Sequence, residues 1–496
     1  MWALFFMAYI QGKSNDQGTL FPVTFDDLIP DDHLVRVIDA YIKSLDLAKL
    51  GFDKATPAQT GRPAYHPQHL LKLYLYGYFH RIRSSRRLEA ECQRNIEVMW
   101  LLDRLTPDFK TIANFRQGNG QAFVQVCRAF VQFCRYARLI AGDLVAIDGS
   151  KFAAVASPRK HISLDKLKRQ DSKLEQQITT YLTQLDATDQ TDNNTDIDQQ
   201  AVRQALQRLR HLQADNQSSQ ALMEELGLTQ SVMGEPDAKK MRTHKGTLIG
   251  YNVQSAVDSL HGLIVHHDVT NAGNDQHQLL PMAQAVQGVF SSPLSDDQPA
   301  DQKLKFVADA GYSTGEQLEQ CEEQGIEAYV ALNRGVNNQS PNKDQPFFNS
   351  SHFDYDAGQD VYTCPNAKQL RLKQLNKGAR IYAASEDECG RCLLNTQCTQ
   401  AKRRYITRHA NEATFERMAK RLAAHPEMMV QRRSIVEHPF GNLKYWIMGN
   451  AGRFLVRGFA KVRGEMALAV NAYNFKRAFK ELGARRMMEL LEQGVR

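Results

Sequence analysis

Two acids in this sequence stand where a carboxylate could do chemistry. Asp148 closes the apolar run of "LVAIDGS", and Asp309 closes that of "KFVADAGYS". Each is followed at once by small residues, Gly149-Ser150 and Ala310-Gly311. Short apolar runs bounded by polar residues and glycine predict buried strands. If the two strands are adjacent and parallel, both carboxylates emerge at one edge of the sheet, where ligands of open α/β sheets bind. Two close carboxylates repel, so they are stable mainly when they share a proton or hold a divalent cation. Hard oxygen donors suit Mg2+ or Mn2+, which keep open positions for phosphate oxygens. Asp-Gly is also a common turn dipeptide, so neither aspartate carries this reading alone.

A third acid, Glu437, lies in "QRRSIVEHPFGNLKYW", with Arg433 four residues before it and Lys444 seven after. On a helix with Pro426 in its first turn, Arg433 and Glu437 share a face. Pro439 removes a backbone donor and crowds the carbonyl of Ile435, so the helix is expected to kink or break near Glu437. An acid beside a kink is more easily explained by a site than by fold stability. The plain alternative is an exposed Arg433–Glu437 pair. Trp446 either stacks on an unpaired base or fills a core.

Four cysteines crowd together: Cys364 precedes "CGRCLLNTQC", which supplies Cys389, Cys392 and Cys398. Four thiolates suit a tetrahedral structural Zn2+, against the alternative of unmetallated thiols in a small insertion. Cys92, Cys127, Cys134 and Cys321 lack such company and read as core residues.

These groups need elements to position them. Residues 20–135 read as short helices, with Arg81, Arg83, Arg86 and Arg87 between two apolar-periodic segments. That suits a helix-turn-helix-like DNA module or any small helical bundle. Residues 157–240 turn rich in Gln, Asp and Lys. Leucines at helical spacing on both sides of a polar tip predict a helical hairpin inserted into a larger domain. "YNVQSAVDSLHGLIVHHDVT" predicts a β-hairpin turning around Ser259–Gly262. "STGEQLEQCEEQG" predicts a helix opened by a Ser313–Glu316 capping box. Strand, hairpin, helix, strand, helix, strand is a mixed α/β sheet.

The chain has 496 residues, 42% hydrophobic and 24% charged, as expected of a soluble protein of about two to four domains. Net charge is +7, and it is unevenly spread. Residues 399–496 hold 20 Lys and Arg against 8 Asp and Glu, on a slightly acidic remainder. A basic C-terminal fifth suggests a face for a polyanion. The opening "MWALFFMAY" is too short to span a bilayer and lacks a basic flank, so a cytoplasmic protein with no membrane partner is expected. Eight cysteines without a signal peptide argue against a disulfide scaffold.

Together these residues resemble the DDE transposases of bacterial insertion sequences. One large branch carries Tyr, two residues, Arg, three residues, Glu, six residues, Lys on its glutamate helix. Arg433, Glu437 and Lys444 match that spacing, while Val430 stands at the tyrosine position. "RTHKGTLIGYNVQSAVD", "DVTNAGNDQHQLLPM", "VADAGYSTGE" and "HPQHLLKLYLYGYFHRIRSSRRLEAE" are also similar to that family, so the resemblance covers nearly the whole chain.

The resemblance implies a ribonuclease-H-like mixed sheet flanked by helices. An N-terminal helical DNA-binding domain would span 1–135, the first catalytic strand 136–156, and the helical arm 157–242. The catalytic core would span 243–345, a Cys-rich insertion 346–411, and the glutamate helix with basic C-terminal helices 412–496. Asp148, Asp309 and Glu437 would hold two Mg2+ (or Mn2+) ions, and Arg433 and Lys444 would contact phosphates. The implied activity is cleavage and strand transfer at the terminal inverted repeats of the chain's own insertion sequence. Its partners would be double-stranded transposon ends and target, held by a homodimer or larger assembly. A catalytically dead DNA-binding relic and a ribonuclease-H-type nuclease without strand transfer are the competing readings.

Overall fold

The structure is a computed structural model that describes residues 24–57, 63–190, 199–243, 246–291, 304–332, 347–376, 379–449 and 452–494. The apolar opening and the central part of the predicted hairpin tip lie outside the described residues. The chain divides into two compact units, one of residues 1–115 with 478–496 and one of residues 116–477.

The first unit is helical: α1 (Leu34–Lys43), α2 (Pro67–Phe79), α3 (Ser85–Arg94), α4 (Ile96–Leu101) and most of α5 (Phe109–Gly118). Its core mixes aliphatic and aromatic side chains. Phe52 and Tyr74 both stack on Phe115, and the Tyr74 hydroxyl donates to the Ile112 carbonyl at 2.7 Å. His66 caps α2 just before Pro67, whose missing N–H costs nothing in a first turn. The division falls short of residue 135 because α6 (Gly120–Tyr136) is tied into the second unit. Arg135 donates to the Val289 carbonyl at 2.6 Å, and Phe130 stacks on Phe475 at 5.4 Å.

The second unit is built on a mixed sheet. Its strands are β1 (Leu144–Ala153), β4 (Lys239–Thr243), β5 (Gly246–Asp258), β6 (Ile264–Thr270), β7 (Lys305–Ala308) and β8 (Glu327–Val330). The order β6-β5-β1-β7-β8 is antiparallel as far as β1 and parallel beyond it, with β4 added on the first part of β5. This is the ribonuclease-H arrangement. The predicted β-hairpin is β5–β6.

Between β1 and β4 the chain leaves the sheet through a short β2 (His161–Ser163)–β3 (Gln230–Val232) pair. That pair carries two long helices, α7 (Leu164–Gln190) and α8 (Gln199–Glu225), packed on each other. Asn216 of α8 is buried and donates to the Leu167 carbonyl of α7, and Lys168 pairs with Glu224 across the same two helices at 2.9 Å.

Helices α9 (Leu279–Phe290) and α10 (Gly315–Glu323) connect the later strands. No Ser313–Glu316 capping box forms. The N-cap of α10 is Thr314, and its hydroxyl instead donates to the Gln276 carbonyl at 3.0 Å, tying the helix start to the loop before α9.

Residues 354–408 make a second, separate antiparallel sheet of five strands: β9 (Asp354–Asp356), β10 (Val361–Thr363), β11 (Gln369–Asn376), β12 (Ala379–Ala383) and β13 (Tyr405–Arg408). Two short helices, α11 (Glu386–Gly390) and α12 (Asn395–Cys398), separate the last two strands. Phe353, Tyr362, Leu370, Tyr382, Ala384 and Ile406 form its core, with Cys364, Cys389 and Cys398 packed against it.

The chain then returns through α13 (Glu412–Ala424), α14 (Glu427–Gly441) and α15 (Phe459–Gly494). Arg417 and Arg421 of α13 grip Glu322 of α10 at 2.7 and 2.9 Å, which fixes where α14 begins. Within α15, Gly483 has φ 70° and ψ 170°, a break that a residue with a Cβ would resist.

Candidate active site

β1 and β7 run parallel and in register, with Ile147 opposite Ala308. Asp148 and Asp309 are the next residues on each strand, so the backbone ladder sets them side by side. The sequence reading placed Asp148 at a strand end, and this is corrected: β1 continues to Ala153 along β5, with Asp148 opposite Ser255. The ladder that ends there is the parallel one. β7 stops at Ala308, and Asp309 caps a single 3-10 turn by accepting from the Gly311 N–H at 2.8 Å.

Arg432 of α14 joins the two acids. Its Nη2 lies 3.1 Å from Asp148 Oδ1 and 3.5 Å from Asp309 Oδ2, on a side chain only 16% exposed. Burial pushes the Asp148 carboxyl up to about 6; Arg432 pulls it down, and Asp309 and then Asp275 push it up.

Asp275 went unseen in the sequence. Its Oδ1 accepts from Asn252 Nδ2 and Gln254 Nε2, both at 2.7 Å, and from Lys151 Nζ at 3.4 Å. Asn252 and Gln254 are fully buried in β5, and the hydroxyl of buried Tyr312 donates to Gln254 Oε1. A signal was present: two amides at alternate positions of "YNVQSAV", a strand otherwise apolar there, mark one face as polar.

The glycine after Asp148 is explained here too. A Cβ at Gly149 would lie 2.5 Å from both Asp275 Oδ1 and Gln254 Nε2. At Gly311 a Cβ would meet Asp309 Oδ1 at 2.9 Å.

The helix side is less closed. α14 packs on β1 and β7, and Glu437 is exposed, with no hydrogen bond or ion pair among the described residues. Arg433 is exposed as well, and the two do not pair. The neighbour Arg432, absent from the sequence reading, is the residue that reaches the acids. Lys444 does reach the site: its Nζ donates to Ser150 Oγ at 2.6 Å and lies 4.9 Å from the Phe152 ring centroid, and burial lowers its pKa.

The expected kink near Glu437 is also corrected. α14 runs through Pro439 to Gly441, and the distortion comes afterwards as a π-helical turn, Asn442–Ile447. Such π-turns inside helices often mark functional sites and changes of helix direction. Trp446 is partly buried, with Lys476 Nζ 2.8 Å from its ring centroid.

In the second sheet, Cys364, Cys389, Cys392 and Cys398 line one cavity of about 30 Å³. The Lys368 N–H points to Cys364 Sγ at 3.3 Å, and Asn366 Nδ2 to Cys392 Sγ at 3.4 Å. Cys92, Cys127, Cys134 and Cys321 are buried, as core residues should be. Among the described residues, no three His, Cys, Asp or Glu converge closely enough to hold a metal ion. The donor types still suit the expected ions: hard carboxylate oxygens at the strand pair, soft sulfurs around the small cavity.

A sheet of this order, with acids leaving its two central parallel strands side by side, defines the ribonuclease-H-like class. Residues 195–475 match the family described as Transposase DDE domain, and residues 23–118 match Transposase domain (DUF772). The first match covers more than half of the chain, and the chain belongs to the Transposase DDE domain family: it is a DDE-type DNA transposase. Asp309 and Glu437 fall inside that match, and Asp148 precedes it.

Comparison with curated proteins returned no match. Among solved structures the chain is similar to the piggyBac transposase in its synaptic complex with hairpin DNA. That likeness has 9% identity and a TM-score of 0.29, covering 93% of this chain and 77% of the other. DDE transposases work with divalent metal ions. No described helix is long and apolar enough to cross a membrane.

Proposed function

We propose that this transposase binds the terminal inverted repeats of its own insertion sequence and cuts and rejoins DNA there. Asp148, Asp309 and Glu437 would be its metal ligands. The observation that carries this is the parallel register of β1 and β7, which delivers two acids to one point beside Arg432 of α14. Mg2+ or Mn2+, when bound, would neutralise these acids and polarise phosphodiester oxygens.

The chain's own residues do the rest. Asn252, Gln254 and Lys151 hold Asp275 still, and Asp275 closes the floor beside Gly149. Lys444 is held by Ser150 two residues past Asp148, where a backbone phosphate would meet it; Arg433 extends the positive strip outward from the same helix. Glu437 projects from the helix that already touches both aspartates and completes the acid set from that side. Both ends of an element must be held together for joining, so the active assembly is a homodimer or larger. It acts on DNA in the cytoplasm of a bacterial cell.

We infer a structural Zn2+ for the second sheet. Four cysteines drawn from two separate segments line one small cavity, and N–H donors face two of the sulfurs, as suits thiolates.

Purified protein with Mg2+ nicks DNA carrying the element's ends. Asp309→Asn abolishes nicking and leaves end binding intact in a mobility-shift assay; nicking that survives this change refutes the assignment.

A further inference from the structure

We propose that Arg432 is a resident counter-ion that competes with the divalent cation for the Asp148–Asp309 pair. Metal loading and withdrawal of this guanidinium are then a single linked event. This rests on the reading that the two aspartates are metal ligands, and adds what that reading lacks, a residue that sets how tightly metal is held.

Two acids placed side by side by a rigid ladder repel unless they share a proton or meet a cation. Among the described residues, Arg432 is the one cation whose ion pairs reach both carboxylates. The neighbouring lysines are committed elsewhere, Lys151 to Asp275 and Lys444 to Ser150.

The Arg432 contact is also poorly built as a permanent bridge. A structural arginine usually meets carboxylates with two parallel N–H donors. Here a single nitrogen serves both acids, at 3.1 and 3.5 Å, while Nε is buried with no hydrogen-bond partner among the described residues. An orphaned buried donor is a standing cost that is relieved when the side chain leaves. Nη2 approaches both carboxylates, so a cation held between Asp148 and Asp309 would compete with it for the same two acids. Arg432 lies on α14, the helix that carries Glu437, so withdrawal of the arginine and approach of the glutamate are movements of one element.

The test is Mn2+ binding to the full-length protein, read as loss of the free-ion electron paramagnetic resonance signal, with thermal melting in parallel. R432Q binds Mn2+ about tenfold more tightly than wild type, a coupling of ordinary size between two linked sites. Without metal it melts below wild type, because its two acids face each other unneutralised, and Mn2+ raises its melting temperature by more than it raises that of wild type. R432K keeps a charge on a shorter stem and falls between the two; should R432Q fail to fold, R432K alone decides. D309N binds little Mn2+ in any background. Unchanged or weaker Mn2+ affinity in the folded Arg432 variants, with D309N still defective, overturns the competition. Equal Mn2+ binding by wild type and D309N overturns the aspartate reading itself, and the competition with it.

Discussion

The two sides of the active site are built differently. On the sheet side, the backbone ladder places Asp148 and Asp309 side by side, half-buried (side chains 21% and 44% exposed) and bridged by Arg432, with Asp275 held by the β5 amides next to them. On the helix side, Glu437 and Arg433 stand exposed on α14 with no partner between them. A ladder positions a side chain through rigid geometry, whereas a helix face positions it only as well as the helix is packed. The preformed half sits on the ladder, and the half proposed to meet DNA sits on the helix.

Glycine substitutions should break this comparison most sharply. Gly149→Ala drives a methyl group into Asp275 and Gln254, and such overpacking costs about 1–3 kcal/mol, read as a lower denaturant midpoint. Gly441→Ala at the end of α14 meets nothing within 4 Å and adopts helical angles, so it gains about 0.4–1 kcal/mol.

The acids themselves give a smaller, pH-dependent contrast. Burial raises the Asp148 carboxyl from 3.8 to about 6, so between those values the folded state holds more protons than the unfolded chain. Stability is therefore lost as pH rises through that window, and the cost is complete above it. In chelator at neutral pH, Asp148→Asn should stabilise the protein by on the order of 1–2 kcal/mol, a gain that fades as pH falls toward 4. Glu437→Gln, exposed, should leave the same melting curve where it was.

Metal removal extends the contrast to the second sheet. Elemental analysis should find about one zinc per chain. Cys392→Ser should lose it and make residues 354–408 sensitive to proteolysis, with end binding retained. The smallest effect is on salt dependence. Arg433→Ala and Lys444→Ala should each lower the slope of log affinity against log salt by about one phosphate's worth. Lys444→Ala should weaken binding more, because its ammonium is held in place.

The sheet half was legible in the sequence because its signals are local. Two apolar runs ending in Asp, with glycine close behind, announce two buried strands, although β1 runs on past Asp148 to Ala153. Arg432 and Asp275 were not legible, for opposite reasons. Arg432 lies beside Arg433 in an unbroken cationic pair, and only the rotation of α14 decides which of the two faces inward. Asp275 lies in a polar loop, and its importance arises from β5 amides more than twenty residues away. The capping box failed because a tertiary contact, Thr314 to the Gln276 carbonyl, outweighed local pattern.

The widened turn after Pro439 sets a reading frame for the residues beyond it. One residue removed from the regular helix between Glu437 and that turn would swing everything after it by ~100°. Lys444 would then leave Ser150, with no change in charge or composition near the acids. The spacing between this lysine and Glu437 is therefore as much a matter of chain length as of residue type, and a length variant would separate the two where a substitution cannot.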